Sequence, residues 1–322
     1  MKHPQWKVTA ALLFLGAHLQ VFAAEIYPTR PVRVIVPFAA GGTFDLVARV
    51  VSQRLTELWG QQVVVDNRPG GATIIATETA AKASPNGYTI YLSPNALAAN
   101  PALHKKLPYD GVRDLAAAVL IAEQPMALGT SPGFKANNVK ELLDLAKARP
   151  GSLSYGTAGI GSGGHLAGEI FKAMAGVDIT HISYKGGNVA MMDVVSNQIS
   201  LVMTGLPNLL PLHRTGRIRI LGITSAKRSA VADQIPALSE SIPGYEFKNW
   251  FGFVVPSGTP RGVVQKINAD VNKALDTGDT RQKLTSQGFD VLGGTPEEFT
   301  QTIIADTRTF ATVLRKAGII AQ

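Results

Sequence analysis

Apolar residues fall into two alternating rhythms along this chain. Short runs of β-branched and aromatic residues predict strands over 32–36, 62–65, 88–92, 117–121, 126–130, 153–156, 179–183, 199–203, 218–223, 250–255 and 289–292. Between them, apolar residues recur every third or fourth position and predict helices over 44–58, 72–83, 138–148, 163–175, 188–195, 207–214, 260–276, 279–287 and 296–316. The first helix is typical, with its stripe at Phe44, Val47, Val51, Leu55 and Leu58. Start signals agree with the rhythm: Asn138 before Val139, Thr259 before Pro260, and Thr295-Pro296-Glu297-Glu298. Strands alternating with helices of this size imply α/β architecture, with parallel sheets covered by helices.

Two apolar strand-like segments, 117–130 and 250–255, lack a following helix of their own size and suit crossovers joining two α/β lobes. The stretch 224–248, rich in Ser, Pro and Gly and without clear period, reads as a surface connection. The expected division is a first lobe of 24–124 plus 248–322 and an inserted second lobe of 125–247. The alternative is two sequential domains broken near residue 125.

Lys2 and Lys7 precede an apolar run from Val8 to Leu19, followed by Val21-Phe22-Ala23, the layout of a secretory signal cut after Ala23 or Ala24. The run is too short to span a bilayer. Export to the periplasm is therefore expected, with residues 1–23 removed and 299 residues left, enough for two cores. The chain has no cysteine, which excludes disulfides, thiol catalysis, lipoprotein anchoring and cysteine metal sites. The formal charge of +8 becomes +6 without Lys2 and Lys7, and the longest basic blocks are pairs such as Lys105-Lys106. Nucleic-acid binding needs a clustered basic face, so it is not expected.

Candidate chemistry sits in two glycine loops. Val34-Ile35-Val36 runs into Pro37, then Phe38-Ala39-Ala40-Gly41-Gly42-Thr43 leads into the first helix with Asp45 in its opening turn. A strand, a glycine turn and a helix start form an anion site, because the first N–H groups of a helix lack intrahelical partners and the dipole favours negative charge. The second loop, Gly156-Thr157-Ala158-Gly159-Ile160-Gly161-Ser162-Gly163-Gly164-His165, repeats that design. Its Gly159-x-Gly161-x-x-Gly164 matches a dinucleotide fingerprint, but Asp178 precedes the next strand when it should end it. An acyl-hydrolase elbow also fails, since Ile160 occupies the place of the first glycine before Ser162, and His165 lies within one turn of that serine. His104, His181 and His213 show no metal-ligand spacing and read as structural; His165 reads equally as a cleft residue or a structural one.

Several motifs together resemble the Bug/TctC solute-binding proteins of tripartite tricarboxylate transport. They are Pro37–Arg49, Val65-Asp66-Asn67-Arg68-Pro69-Gly70-Gly71-Ala72, Pro85-Asn86-Gly87-Tyr88-Thr89, Tyr184-Lys185-Gly186-Gly187 with Asp193, Thr224–Arg228, and Pro256-Ser257-Gly258-Thr259-Pro260. The likeness is collinear from Tyr27 onward. It implies a two-lobed periplasmic-binding-protein fold of the second type, closing on a small carboxylate, with the loops at 38–45 and 157–165 gripping it from opposite lobes. The ligand set so implied is Phe38, Ala40, Gly41, Gly42, Thr43, Asp45, Asn95, Thr157, Gly161, Ser162, His165 and Gly186, with Phe38 against the carbon skeleton. Asp45 is read as tying down the glycine turn or complementing the dipole, and as a contact only for a ligand ammonium. No metal, cofactor or catalytic residue is expected; the expected partners are the ligand and inner-membrane permease subunits, with the protein a monomer. The alternative is a secreted hydrolase or nucleotide-dependent enzyme using the loop at 157–165. Val189 and Asn197 depart from the pattern, which usually has proline and glycine there. Asn tolerates the left-handed conformation, so the second change is mild.

Overall fold

A computed structural model of the chain describes residues 27–229 and 231–316. The expected signal peptide and its cleavage site lie outside the described residues. The strands are β1 (Val32–Val36), β2 (Val63–Asn67), β3 (Thr89–Ser93), β4 (Leu115–Thr130), β5 (Ser154–Thr157), β6 (Thr180–Ser183), β7 (Leu201–Gly205), β8 (Arg219–Ile223), β9 (Lys248–Pro256) and β10 (Asp290–Val291). The helices are α1 (Thr43–Trp59), α2 (Ile74–Ala81), α3 (Ala96–Leu103), α4 (Val139–Ala148), α5 (Gly163–Ala175), α6 (Gly187–Val195), α7 (Leu206–Arg214), α8 (Arg261–Asp276), α9 (Gly278–Thr285) and α10 (Pro296–Lys316). No described helix is long and apolar enough to cross a membrane.

The chain is α/β and two-lobed, and the sheet order β2-β1-β3-β9-β4-β7-β5-β6 explains how. β1, β2 and β3 pair in parallel, as do β5, β6 and β7, each set linked by helical crossovers. Every antiparallel pair involves β4 or β9. Residues 115–125 of β4 pair with β9, while residues 126–130 pair with β7 and, on the other side, 127–130 with β8. β4 is thus one strand shared by both halves: it merges the two predicted strands 117–121 and 126–130 and follows the reading of 117–130 as a crossover segment. Pro125 interrupts the apolar reading yet fits, because it falls where β4 leaves one set of partners for the other.

α1 buries Phe44, Val47, Val51 and Leu55, the predicted stripe, against Val34, Phe251 and Val271 in one apolar cluster. Asn138 caps α4 by accepting from the Glu141 N–H at 2.9 Å. Thr295 and Glu298 form a reciprocal cap on α10. Thr259 does not cap α8; its hydroxyl donates to the Pro256 carbonyl, and Pro260 takes the cap position. α3 has no predicted counterpart: it is a short, alanine-rich, almost wholly buried helix with Pro101 inside it. Asn197 has φ of 59°, as its place before β7 requires.

Candidate functional site

Where β1 ends, the chain turns through Gly41 (φ 84°) into α1. Asp45, in the first turn, is buried, and its Oδ2 accepts from the Gly41 N–H at 3.0 Å and from Arg49 Nε at 2.9 Å. Burial would raise this carboxyl, but hydrogen bonds from Arg49, the Gly41 amide and Asn67 outweigh it and hold it below the usual range. Asn67 Nδ2 donates to the Phe38 carbonyl at 3.0 Å, fastening the loop to the end of β2. The loop is therefore braced by the protein's own hydrogen bonds.

The second loop is braced in the same way. Gly161 (φ 76°) donates its N–H to His165 Nδ1 at 3.2 Å, and Thr157 Oγ1 pairs with His181 Nε2 at 2.8 Å. The His165 and His181 rings meet in a tilted contact with centroids 4.5 Å apart. Burial, reinforced by the Lys172 charge, lowers His165 to about 4. Burial and the neighbouring His165 lower His181 to about 3. Both are neutral at physiological pH. Ser162 Oγ accepts from the His165 N–H at 3.4 Å, which caps α5 and leaves its own O–H free to donate outward.

Between the loops lies a cavity of about 290 Å³. Four helix N-termini border it: α1 through Gly42, Thr43 and Phe44, α5 through Ser162, Gly163 and Gly164, α6 through Gly186 to Val189, and α7 through Gly205 and Asn208. The N–H groups of Thr43, Phe44, Gly163 and Gly164 make no hydrogen bond to another described residue. Phe38, Phe44, Met126 and Met203 supply apolar wall, with Phe44 stacked between Phe38 and Phe251 at 4.7 and 4.3 Å. Gln124 and Asn249, on the shared strands, also line it. Lys185 is the one charged side chain among the lining residues. A second cavity of about 670 Å³ shares Phe38, Ala39, Ala158 and Lys185 with the first, so the cleft continues outward past Gly70 and Ile160.

Six residues of the expected set line the inner cavity: Phe38, Ala40, Gly42, Thr43, Ser162 and Gly186. The other six do not. The N–H of Gly41 is taken by Asp45, whose Oδ2 is engaged by Gly41 and Arg49. Thr157 is fully buried behind Gly159, bonded to His181. Gly161 faces Ala96, Asn100 and the Ala72 carbonyl of the other half of the molecule, and its amide belongs to His165. His165 is committed to that loop. Asn95 is buried behind β9, accepting from the Trp250 N–H at 3.0 Å and donating to the Lys248 carbonyl at 3.1 Å. Gln124, Asn249, Lys185 and the start of α7 are among the further lining residues absent from that set. Lys185 and Gly187 carry a signal in the Tyr184-Lys185-Gly186-Gly187 motif; the others have none in the local sequence.

Two α/β lobes joined by shared strands, with a ligand cleft ringed by helix N-termini, define an extracytoplasmic solute-binding receptor. The chain belongs to the family described as "Tripartite tricarboxylate transporter family receptor" (TctC), which it matches over residues 47–319. It is 32% identical over 299 residues to Protein BugT of Bordetella pertussis, covering 92% of each chain. Among solved structures, Rpa4515 of R. palustris with adipate is similar at TM-score 0.88 and 34% identity, covering 92% of this chain and all of that one. MatC of Rhodopseudomonas palustris with bound malate is similar at TM-score 0.85 and 28% identity, over 89% and 100% of the two chains. As the family indicates, the chain is a solute-binding receptor, and the hydrolase or dinucleotide reading of the loop at 157–165 is not favoured.

Proposed function

We propose that a ligand carboxylate seats between the starts of α1 and α5, taking hydrogen bonds from the Thr43, Phe44, Gly163 and Gly164 amides and the Ser162 hydroxyl. The observation that carries this reading is the convergence of four helix N-termini on one apolar-walled cavity. Hydrogen bonds to a charged group contribute about 1.5–3 kcal/mol each. Three or four, less the cost of ordering, reach the roughly −8 kcal/mol of micromolar binding. Lys185 adds a positive charge at the mouth, and Phe38 packs on the ligand's carbons. The protein binds and releases its ligand without chemistry, in keeping with Ser162 being engaged as a cap and no His side chain bonding it among the described residues.

The switch of β4 partners at residues 125–126 supports lobe boundaries at 124/125 and 247/248. The chain is exported with residues 1–23 removed, works as a monomer in the periplasm, and hands its ligand to membrane permease subunits. The test is a thermal-shift screen of the chain lacking residues 1–23 against acetate, butyrate, succinate, malate, adipate and benzoate. At least one should raise the melting temperature. A Cβ at Gly42 meets only the Ala39 carbonyl, at 3.7 Å, and the φ of −89° suits any residue, so Gly42→Leu should fold normally and lose that rise. Equal stabilisation of the variant, or none of the wild type by any carboxylate, contradicts the proposal.

A further inference from the structure

The cavity floor is made by the two strands that both halves share, and it carries an unusual pair. Gln124 on β4 and Asn249 on β9 are direct cross-strand neighbours, so both side chains leave the sheet on the same face. They are only 1% and 2% exposed, yet both line the cavity. Gln124 Nε2, Gln124 Oε1 and Asn249 Oδ1 have no hydrogen-bond partner among the described residues, and the two amides do not bond each other. Room is left for them by glycines: a Cβ at Gly205 would lie 2.7 Å from Gln124 Nε2, and one at Gly163 would collide with Asn249 Oδ1. Buried polar groups are nearly always paired, so two unpaired amides walled in by Phe38, Phe44, Met126 and Met203 call for a partner from outside the chain.

Resting on the carboxylate reading above, we infer that Gln124 and Asn249 recognise a hydroxyl or carboxamide on the body of the ligand, making this a receptor for hydroxylated or amidated carboxylates over plain ones. The chemistry of the floor decides the class. A second carboxylate offers only acceptors, which neither amide oxygen can use, and no cation stands among the floor residues to neutralise it. An ammonium offers only donors, and no carboxylate lines the cavity to meet its charge. A hydroxyl or carboxamide donates and accepts at once, as the floor does. Exchanging O and N in either amide leaves one donor and one acceptor per side chain, so the argument holds in both orientations.

The test is calorimetric titration with carboxylates matched in pairs that differ by one hydroxyl: butyrate and 3-hydroxybutyrate, succinate and malate, phenylacetate and 4-hydroxyphenylacetate. In at least one pair the hydroxylated member should bind about tenfold tighter or more, since the plain one leaves the floor unpaired. Gln124→Met and Asn249→Leu, which keep the volume, should bring that ratio toward one by weakening the hydroxylated member alone. Equal or weaker binding of every hydroxylated member overturns the inference while leaving the carboxylate reading intact, as does a variant that weakens both members alike. Absence of binding by all six compounds, with the carboxylate screen also silent, defeats both together.

Discussion

Gly164 shows how little slack the site tolerates at the scale of one residue. A Cβ there would run into the Met203 carbonyl oxygen, which is backbone in a central strand and cannot rotate away. Gly164→Ala should therefore lower stability by about 3 kcal/mol. The checking measurement is a urea midpoint that falls with unchanged slope. Gly42 is the contrast, because its neighbourhood is open and its φ of −89° suits any residue. Substitution at Gly161 acts differently again: φ of 76° strains an L side chain, and the added atoms press on Ala96 and Asn100 across the cleft. A loss of binding in such a variant would report distorted packing between the halves more than a lost ligand contact.

At the scale of elements, α5 and β6 are tied through the contact of His165 with His181, and this pair makes stability depend on pH. Their folded values, about 4 and about 3, lie below the 6.5 of a free histidine. Between those limits the unfolded chain binds protons that the folded one refuses, so stability is complete above pH 6.5 and declines as pH falls. Each unit crossed costs about 1.4 kcal/mol per histidine. The unliganded protein should lose melting temperature steadily from pH 6.5 to 4.5, and His181→Gln should make that slope markedly shallower. A flat profile in wild type, or the same slope in the variant, would contradict the assignment.

Much of this scaffold was legible from local pattern. The α1 and α5 starts stand out because glycines, a preceding strand and an apolar stripe all report the same turn. α3 escaped because burial of all of Ala96 to Asn100 leaves no amphipathic stripe, and Pro101 argues against a helix. The β4 reading broke at Gln124-Pro125, where polarity and a missing donor mimic a strand end. The floor was invisible for a topological reason: Gln124 and Asn249 meet only when two distant strands pair. Half the expected contacts fell outside the cavity because short polar residues beside a glycine turn are spent holding that turn, as Asp45, Thr157 and His165 are.

For the whole molecule, the apolar packing does not respect the lobes. One buried cluster joins Tyr91, Leu97 and Leu103 of the first half to Leu166, Phe171 and Tyr245 of the second, with Phe299, Ile303, Phe310 and Leu314 of α10 across both. Phe247 of the second half and Phe310 of the first also meet, with ring centroids 6.3 Å apart. The two halves should therefore unfold together. Fluorescence of Trp59 and Trp250, which report the first half, and far-ultraviolet circular dichroism, which reports both, should give one coincident thermal midpoint. Two separated transitions would show independent lobes.

The position of β9 between β3 and β4 has a consequence for how the protein is made. A chain threading into its compartment from the N-terminus delivers β1 to β4 early, yet the slot between β3 and β4 stays empty until residues 248–256 emerge. Until then two strand edges stand bare beside apolar faces, the arrangement that invites wrong partners. Secretion of this receptor is thus completed by its last quarter, and any early stop in translation leaves not a smaller receptor but an adhesive fragment.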